Sequence, residues 1–468
     1  MNYLKLLILS AVLCCFTALP DANARPMNVI VVLVDDLGTT DLGCFGSKFY
    51  QTPNIDQLAR DGMRFTNGYS ACTVCSPTRA AMLTGQYPAR LHITDWIEGH
   101  KRPDAPLSVP DWQMYLSKDT SNMAKILKKA GYATISIGKW HLGKEDYYPE
   151  NQGFDKNVGG YFRGQPPSYH APYKIPTLPE GPVGEFLTDR EAAEACKFIE
   201  EQKDKPFFIY LPHYAVHTPL MAKKEVIEKY RQKIDPKLPH QNPVYAGLVE
   251  SVDDAMGAIR AKLKDLKLDE NTVIIFTSDN GGLLGGGKQP ITSNVPFRAG
   301  KGSAYEGGVR VPYIVYWPGV TKAGSVSTEP IITVDVLPTV AEIVGAKIPE
   351  NHVVDGKSLV PLLKGSHSLE RDAIYWHYPH YHPGGATPYS AIRKGNYRLV
   401  EFFETGNKEL YDLANDVGEK VNLTEKMPAK VSELFEDLKK WRTDVGAQLP
   451  TKNLNPTPKK KNPPKKKN

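Results

Sequence analysis

Four short and almost uninterrupted apolar runs constrain the fold of this chain more than any other feature. Each run ends in a cluster of polar or charged residues, and apolar and polar residues do not alternate within it. This pattern is typical of parallel strands that are buried on both faces, because helices cover both sides of such a sheet. The four runs are NVIVVLVDDLG (28–38), ATISIGKWHLG (133–143), PFFIYLPHYAVHTP (206–219) and TVIIFTSDNGG (272–282).

Helical patterns separate these runs, for example the apolar positions within 123–130 and 248–263. Strands that alternate with helices predict an α/β fold, here a large mixed, mostly parallel sheet sandwiched by helices over residues 25–365. Short aromatic segments with turns between them, and then one helical pattern, follow in 366–449. They predict a smaller C-terminal antiparallel sheet with one helix.

The two ends of the chain differ in composition from its body. Lys5 precedes an apolar run over 6–19, and Ala22–Ala24 fits a small-residue cleavage site, so we expect 1–24 to be a signal peptide of a secreted or periplasmic protein. Residues 450–468 carry seven lysines, several prolines and no acid, and we expect a disordered tail.

Charge and hydropathy exclude two classes of protein. The formal net charge is +6, and the seven lysines of the tail account for more than all of it. The body is therefore nearly neutral, which argues against a nucleic-acid-binding protein. After the signal peptide, no run is long and apolar enough to predict a membrane span.

The polar clusters that follow the runs offer hard oxygen ligands. Asp35 and Asp36 follow the first run, and Asp279 and Asn280 follow the fourth. Carboxylate and amide oxygens at the carboxyl ends of neighbouring strands predict a Ca²⁺ or Mg²⁺ site rather than a zinc site. Either pair on its own would more commonly be a cap or a turn.

Cations and imidazoles occupy the other strand ends. Lys139 and His141 follow the second run, His217 follows the third, and Arg298 and Lys301 lie in a glycine-rich segment. A single residue of this kind is usually solvated or satisfied by a neighbour. Grouped beside a divalent cation, they suit a tetrahedral oxyanion and the charge that develops on it.

The segment CTVCSPTRAAMLTG (72–85) has two interpretations. Cys72 and Cys75 have the spacing of a redox dithiol or of half a zinc site. The stretch from Cys75 to Arg79, followed by Leu-Thr-Gly, instead resembles the signature of the type I sulfatases of the alkaline phosphatase superfamily, with Thr78 where serine is common. VDDLG, GKWHLG, HTP, TSDNGG and GKGSAYEGGVRVP also occur in that family's usual order, so the resemblance covers about residues 27–365.

The resemblance implies an arylsulfatase-like sulfuric ester hydrolase with the sulfatase fold, its catalytic domain in 25–365. A separate formylglycine-generating enzyme would oxidise Cys75 to formylglycine, whose hydrate supplies the nucleophilic oxygen. One Ca²⁺ would be held by an oxygen of modified Cys75 and by Asp35, Asp36, Asp279 and Asn280. Arg79 would hold the formylglycine, and Lys139 and Lys301 would bind sulfate oxygens. His141 would be the base that releases sulfate. His217 would act with Lys301 at the leaving oxygen.

The substrate is predicted from loops rather than from these motifs. Residues 93–106 and 375–385 are rich in aromatic residues and histidine, which suits sugar recognition, although packed aromatics would give the same composition. We expect a sulfated carbohydrate, of the galactose or N-acetylgalactosamine type. Three alternatives remain: a phosphatase or phosphodiesterase of the same superfamily, a sulfated-glycan-binding protein with unmodified Cys75, and a thiol redox protein using Cys72 and Cys75.

Overall fold

The computed structural model describes residues 25–285 and 290–457. The expected signal peptide (1–24) and residues 458–468 of the expected tail lie outside the described residues. Each of the four apolar runs forms a buried strand, as predicted.

The strands of the described residues are, in chain order, β1 (Asn28–Val34), β2 (Met63–Phe65), β3 (Gly68–Tyr69), β4 (Leu107–Ser108), β5 (Ala133–Ile137), β6 (Lys156–Val158), β7 (Phe207–Pro212), β8 (Thr272–Ser278), β9 (Tyr313–Tyr316), β10 (Ser325–Ser327), β11 (Ile331–Ile332), β12 (Ile374–Tyr378), β13 (Tyr389–Lys394), β14 (Tyr397–Phe402), β15 (Lys408–Asp412) and β16 (Thr451–Lys452). The α-helices of the same residues are α1 (Pro53–Asp61), α2 (Cys75–Thr84), α3 (Pro88–Leu91), α4 (Met123–Lys129), α5 (Leu187–Glu201), α6 (Lys224–Arg231), α7 (Pro243–Asp265), α8 (Glu306–Val309), α9 (Val336–Val344), α10 (Val360–Leu363) and α11 (Pro428–Asp444).

The main sheet has eight strands in the order β10-β2-β9-β8-β1-β7-β5-β6. Strands β8, β1, β7, β5 and β6 run parallel, and β9 is antiparallel to both of its neighbours. All seven residues of β1 are buried, and Val32 pairs with Leu211 on one side and Phe276 on the other. The sheet is therefore mixed and mostly parallel, as predicted.

The helices form two packed groups, α1 with α5, α6 and α7, and α2 with α4, α9 and α10, and both groups contact the main sheet. After the main sheet, β12–β15 form a four-stranded antiparallel sheet on which α11 packs. The predicted fold, a helix-covered α/β sheet with a smaller C-terminal antiparallel sheet and helix, is confirmed.

The prediction of disorder from residue 450 onwards is wrong for the first residues of the tail. Thr451–Lys452 form β16, which pairs with β4 in the antiparallel sense. The side chain of Asn453 then donates hydrogen bonds to the carbonyl oxygens of Pro103 and Ala105. Composition could not reveal this, because the pairing satisfies backbone groups whatever the side chains are.

None of the helices in the described part of the chain combines the length and the hydropathy that crossing a bilayer requires.

Candidate active site

The candidate residues meet at one edge of the main sheet. Strands β8, β1, β7 and β5 are neighbours and parallel, so their carboxyl ends lie side by side. The residues that follow these ends are Asp35 and Asp36 after β1, Lys139 and His141 after β5, His217 after β7, and Asp279 and Asn280 after β8. This edge is where ligands bind in open α/β sheets.

The acidic cluster is fully buried and internally connected. The backbone N–H of Asp36 donates to Oδ1 of Asp279 (3.2 Å), and Nδ2 of Asn280 donates to Oδ1 of Asp36 (2.7 Å). Asp36 has a φ of 62°, in the left-handed region that side-chain-bearing residues seldom adopt. Residues held in such conformations cost about 1–3 kcal/mol and concentrate at functional sites.

Three buried cations balance the three carboxylates of this cluster. Arg79 binds Oδ2 of Asp279 through Nε (2.9 Å) and Nη2 (2.7 Å). The Nζ atom of Lys139 lies 2.7 Å from Oδ2 of Asp35. The Nζ atom of Lys301 lies 2.7 Å from Oδ1 of Asp36, whose carboxylate raises the pKa of this lysine although burial opposes the shift.

Two acceptor oxygens in the cluster lack a donor. Oδ1 of Asp35 and Oδ1 of Asn280 are buried and have no hydrogen-bond partner among the described residues. Burial, and then repulsion from the carboxylate of Asp279, raise the pKa of Asp35 well above its usual range. Buried acceptors of this kind normally have a partner, and a hard divalent cation would provide one. The residues present therefore fit the implied Ca²⁺.

Cys75 is the first residue of α2, a helix that is buried along its whole length. Its side chain is 3% exposed, and its Sγ atom, a carboxylate oxygen of Asp35 and one of Asp279 lie within 4.8 Å of one another. The positive end of the helix dipole faces this position. The described cysteines, including Cys72, are all free thiols, and burial raises the pKa of Cys72.

His141 faces Cys75 through a nitrogen that can accept a proton. Its Nε2 atom is hydrogen-bonded to the carbonyl oxygen of Ile97, so this nitrogen carries the proton. Nδ1 is then free of a proton and lies 3.5 Å from Sγ of Cys75. Burial and the charge of Lys139 lower the pKa of His141 well below its usual value, so the ring is neutral at neutral pH.

His217 adds an imidazole to the acidic cluster. Its Nδ1 atom donates to the carbonyl oxygen of Thr218 (2.9 Å), and Nε2 lies 3.6 Å from Oδ2 of Asp36. Burial, followed by repulsion from Lys301, lowers the pKa of His217 to about 3. A neutral ring therefore presents a lone pair toward a carboxylate, and a cation bound between the two groups would relieve their repulsion.

A cavity of about 480 Å³ opens over these groups. Cys75, His141, His217 and Lys301 are among the residues that line it, and so are Trp96–Gly99, as expected for the 93–106 loop. The complete lining is Val74, Cys75, Trp96, Ile97, Glu98, Gly99, His141, Phe162, Arg163, Gly164, Gln165, His217, Lys301 and His382. The volume falls within the range of small-molecule sites, roughly 300–1,000 Å³.

The second predicted substrate loop, residues 375–385, contributes fewer residues to the cavity than expected. Of residues 375–385 only His382 lines the cavity, because residues 375–378 belong to β12. Tyr375 stacks on Trp441, and Trp376 is buried, so these aromatics serve packing. Arg298 also lies elsewhere, bonded to Tyr411 and to the backbone of the C-terminal unit.

The segment Phe162–Gln165 also lines the cavity. No pattern in the sequence predicts this role. The segment lies in a connection after β6, with neither apolar periodicity nor a clustered metal-ligand pattern. The hydrogen-bond acceptor for His141 could not be predicted either. It is the backbone carbonyl of Ile97, and every residue has such a carbonyl whatever its side chain.

Comparisons with known proteins match most of the chain to sulfatases. The profile of the family described as Sulfatase matches residues 27–346, and that described as N-sulphoglucosamine sulphohydrolase, C-terminal, matches residues 300–445. A sulfatase of Formosa agariphila is 34% identical, with 91% of this chain and 89% of that protein covered. Human N-acetylgalactosamine-6-sulfatase is 33% identical, with 75% and 68% covered.

Among solved structures, Ps i-CgsB superimposes with a TM-score of 0.77 at 30% identity, covering 90% of this chain and 94% of that one. The same protein has also been solved in complex with k-i-k-neocarrahexaose, with the same coverage and score.

Proposed function

Because the chain belongs to the sulfatase family, we propose that it is a sulfuric ester hydrolase that removes sulfate from a sulfated carbohydrate, using a formylglycine made from Cys75 and one bound Ca²⁺. The observation that carries this proposal is the combination of groups that line the cavity. There Cys75, a neutral histidine and a buried lysine lie beside an acidic cluster in which two buried oxygens accept no hydrogen bond from the described residues. A nucleophile, a proton acceptor, a cation and a metal site thus share one small volume.

In this proposal Asp35, Asp36, Asp279 and Asn280 hold the Ca²⁺. When bound, the ion supplies positive charge that stabilises an oxyanion and its nucleophile. Arg79 fixes Asp279 through two hydrogen bonds and donates a third, from Nη1, to the carbonyl oxygen of Lys139. It therefore joins the acidic cluster to the loop that carries Lys139 and His141.

The formylglycine, when formed by a formylglycine-generating enzyme, supplies a hydrated aldehyde as an oxygen nucleophile. His141 is held with its unprotonated Nδ1 atom toward residue 75, so it accepts a proton there. Lys139 and Lys301, which bind Asp35 and Asp36 in this structure, would bind the sulfate oxygens. An anionic sulfate ester would raise the pKa of His217, since a nearby negative charge favours the imidazolium. His217 could then share with Lys301 the stabilisation of the leaving oxygen.

The carbohydrate assignment rests on the cavity wall and on relatives. Trp96 and Phe162 offer aromatic faces, and Glu98, Arg163 and Gln165 offer polar groups for hydroxyls. One relative is named for N-acetylgalactosamine 6-sulfate, and a similar structure contains a neocarrahexaose. We therefore favour galactose or N-acetylgalactosamine sulfates. Secretion or export to the periplasm, proposed from the N-terminal apolar run, would bring the enzyme to an external polymer.

A desulfation screen tests the function directly. The chain is produced together with a formylglycine-generating enzyme, and sulfate release is measured from defined galactose and N-acetylgalactosamine sulfates, from para-nitrophenyl sulfate and from matched phosphate esters. Release of sulfate from a sugar supports the proposal. Faster hydrolysis of the phosphate esters would favour the phosphatase alternative. Binding of sulfated sugars without hydrolysis, by protein with confirmed formylglycine, would favour a glycan-binding protein.

Metal removal gives a second test. Chelation should abolish turnover, and added Ca²⁺ should restore it better than Zn²⁺, because the four proposed protein ligands are hard oxygen donors. Metal analysis of the purified protein measures the same property without relying on activity. Stoichiometric zinc without calcium would contradict the assignment and would give His217 the role of a ligand.

Replacing His141 tests its role as proton acceptor. In His141→Asn the amide oxygen can still face residue 75, but it cannot take up a proton at neutral pH. We expect kcat to fall by ~10²–10⁴-fold, the usual contribution of general acid–base catalysis, with a much smaller change in KM. The exposed His367, replaced by Asn, is the control. A large rise in KM with unchanged kcat would mean that His141 only binds substrate.

A further inference from the structure

His382 lies in the cavity wall, and the mechanism above gives it no role. It belongs to the connection between β12 and β13, so the C-terminal unit supplies it. Its ring rests directly on Gly302, the residue after Lys301. A Cβ atom added to Gly302 would lie 1.8 Å from Nδ1 of His382, and one added to Gly384 would lie 2.8 Å from the same atom. Two glycines therefore make room for this ring.

The hydrogen bonding of the ring fixes which nitrogen carries the proton. The backbone N–H of Gly384 donates to Nδ1 of His382 (2.8 Å). A nitrogen that accepts a hydrogen bond carries no proton, so the proton of the neutral ring is on Nε2. In residues 25–285 and 290–457, no group accepts a hydrogen bond from Nε2. A part-buried histidine thus offers the cavity an N–H donor that the protein itself does not use.

The position of this donor indicates what it binds. On one side the ring meets Trp96 edge-on, with ring centroids 5.1 Å apart. On the other side it lies against the backbone that follows Lys301, whose ammonium group reaches down to the acidic cluster. The ammonium group of Lys301 binds Asp36, whereas His382 and Trp96 line the same cavity without forming an ion pair among the described residues. An uncharged N–H beside an aromatic ring suits an uncharged oxygen of a sugar.

We propose that His382 is a substrate-binding residue whose Nε2–H donates a hydrogen bond to a hydroxyl or ring oxygen of the sugar unit that bears the sulfate. The inference rests on the proposed function and deepens it, because it assigns part of the specificity for a carbohydrate to one atom of the C-terminal unit.

Two substitutions of His382 distinguish the contributions of its two ring nitrogens. In His382→Asn the amide oxygen can occupy the place of Nδ1 and accept from Gly384, but nothing replaces Nε2–H. In His382→Gln the longer side chain can place an amide N–H near the position of Nε2. The probes are the galactose or N-acetylgalactosamine monosulfate that the wild-type enzyme hydrolyses fastest, and para-nitrophenyl sulfate, which has no sugar oxygen.

For His382→Asn we expect the ratio of kcat/KM on the sugar sulfate to kcat/KM on para-nitrophenyl sulfate to fall by roughly 3–10-fold, the size of one neutral hydrogen bond, mainly through KM. His382→Gln should recover part of the loss. Inhibition by inorganic sulfate, which does not need the sugar contact, should weaken less than binding of the sugar sulfate, and it serves as the reference if para-nitrophenyl sulfate is not hydrolysed. The exposed His367→Asn is the control, and thermal unfolding checks that all variants are folded.

Equal losses on both probes, an unchanged His382→Asn variant, or a Gln variant no better than the Asn variant would overturn the proposal. A wild-type enzyme that hydrolyses para-nitrophenyl sulfate and none of the sugar sulfates would overturn it too, while the sulfatase activity would stand. If the matured wild-type protein hydrolyses no sulfate ester at all, the proposed function itself fails.

Discussion

Cys75→Ala should yield a folded protein with no measurable sulfatase activity. The side chain is the only proposed source of the nucleophile, and losing a covalent nucleophile typically lowers the rate on the order of 10⁶-fold. Cys75→Ser should behave in the same way in a host that modifies only cysteine. Activity on para-nitrophenyl sulfate, thermal unfolding and mass spectrometry of the peptide that contains residue 75 measure activity, folding and modification separately.

Cys72→Ala is the matched control. Cys72 is as buried as Cys75, at 2% against 3% exposed, and is three residues away, but it does not line the cavity. We expect most of the activity to remain. If the two alanine variants were equally inactive and both folded, the redox interpretation of the Cys72–Cys75 spacing would have to be reconsidered.

Asp279→Asn should cause a large loss of both metal and stability. The residue is a proposed Ca²⁺ ligand and the partner of Arg79, and both side chains are fully buried. Removing one member of a buried ion pair typically costs about 3–5 kcal/mol, and Arg79 would keep only its longer contact with Asp35, at 3.7 Å. We expect kcat/KM to fall by at least ~10²–10³-fold, as when one contact that stabilises an oxyanion is lost. Metal analysis, denaturant unfolding and kinetics measure the three effects.

Two further variants show whether these losses have the stated cause. Asp254→Asn removes an exposed carboxylate on α7 and should change neither metal content nor activity. Adding Arg79→Met to Asp279→Asn should recover part of the stability, because no unpaired charge then remains buried, but it should not recover the metal. A single Asp279→Asn variant that kept its calcium and its activity would refute the ligand assignment.

The sequence predicted those parts of the molecule that depend on local patterns. The apolar runs indicated the central strands, and the polar residues that end them indicated the edge where Asp35, Lys139 and Asp279 meet. The resemblance of the Cys75 segment to a known signature then added the chemistry. The inferences about the strands and their shared edge succeed because a parallel sheet brings its carboxyl ends together whatever the loops do, whereas the chemistry stays a proposal.

Features that depend on the docking of distant segments could not be predicted. His382 reaches the cavity only because its loop packs on Gly302, some 80 residues earlier in the chain. The acceptor of His141 is a backbone carbonyl, and the pairing of β16 with β4 is made by backbone groups. In each case the contact depends on tertiary geometry, which composition and periodicity do not predict.

The burial of Cys75 bears on whether the proposed oxidation of this residue comes before or after folding. In the proposed maturation an enzyme has to reach the thiol of Cys75, but in the folded protein Cys75–Thr84 is a helix with every residue buried. Opening it would expose the buried guanidinium of Arg79 and break its ion pair with Asp279. We therefore expect oxidation to precede folding. A chain that folds first would be trapped as a stable protein that can no longer be matured.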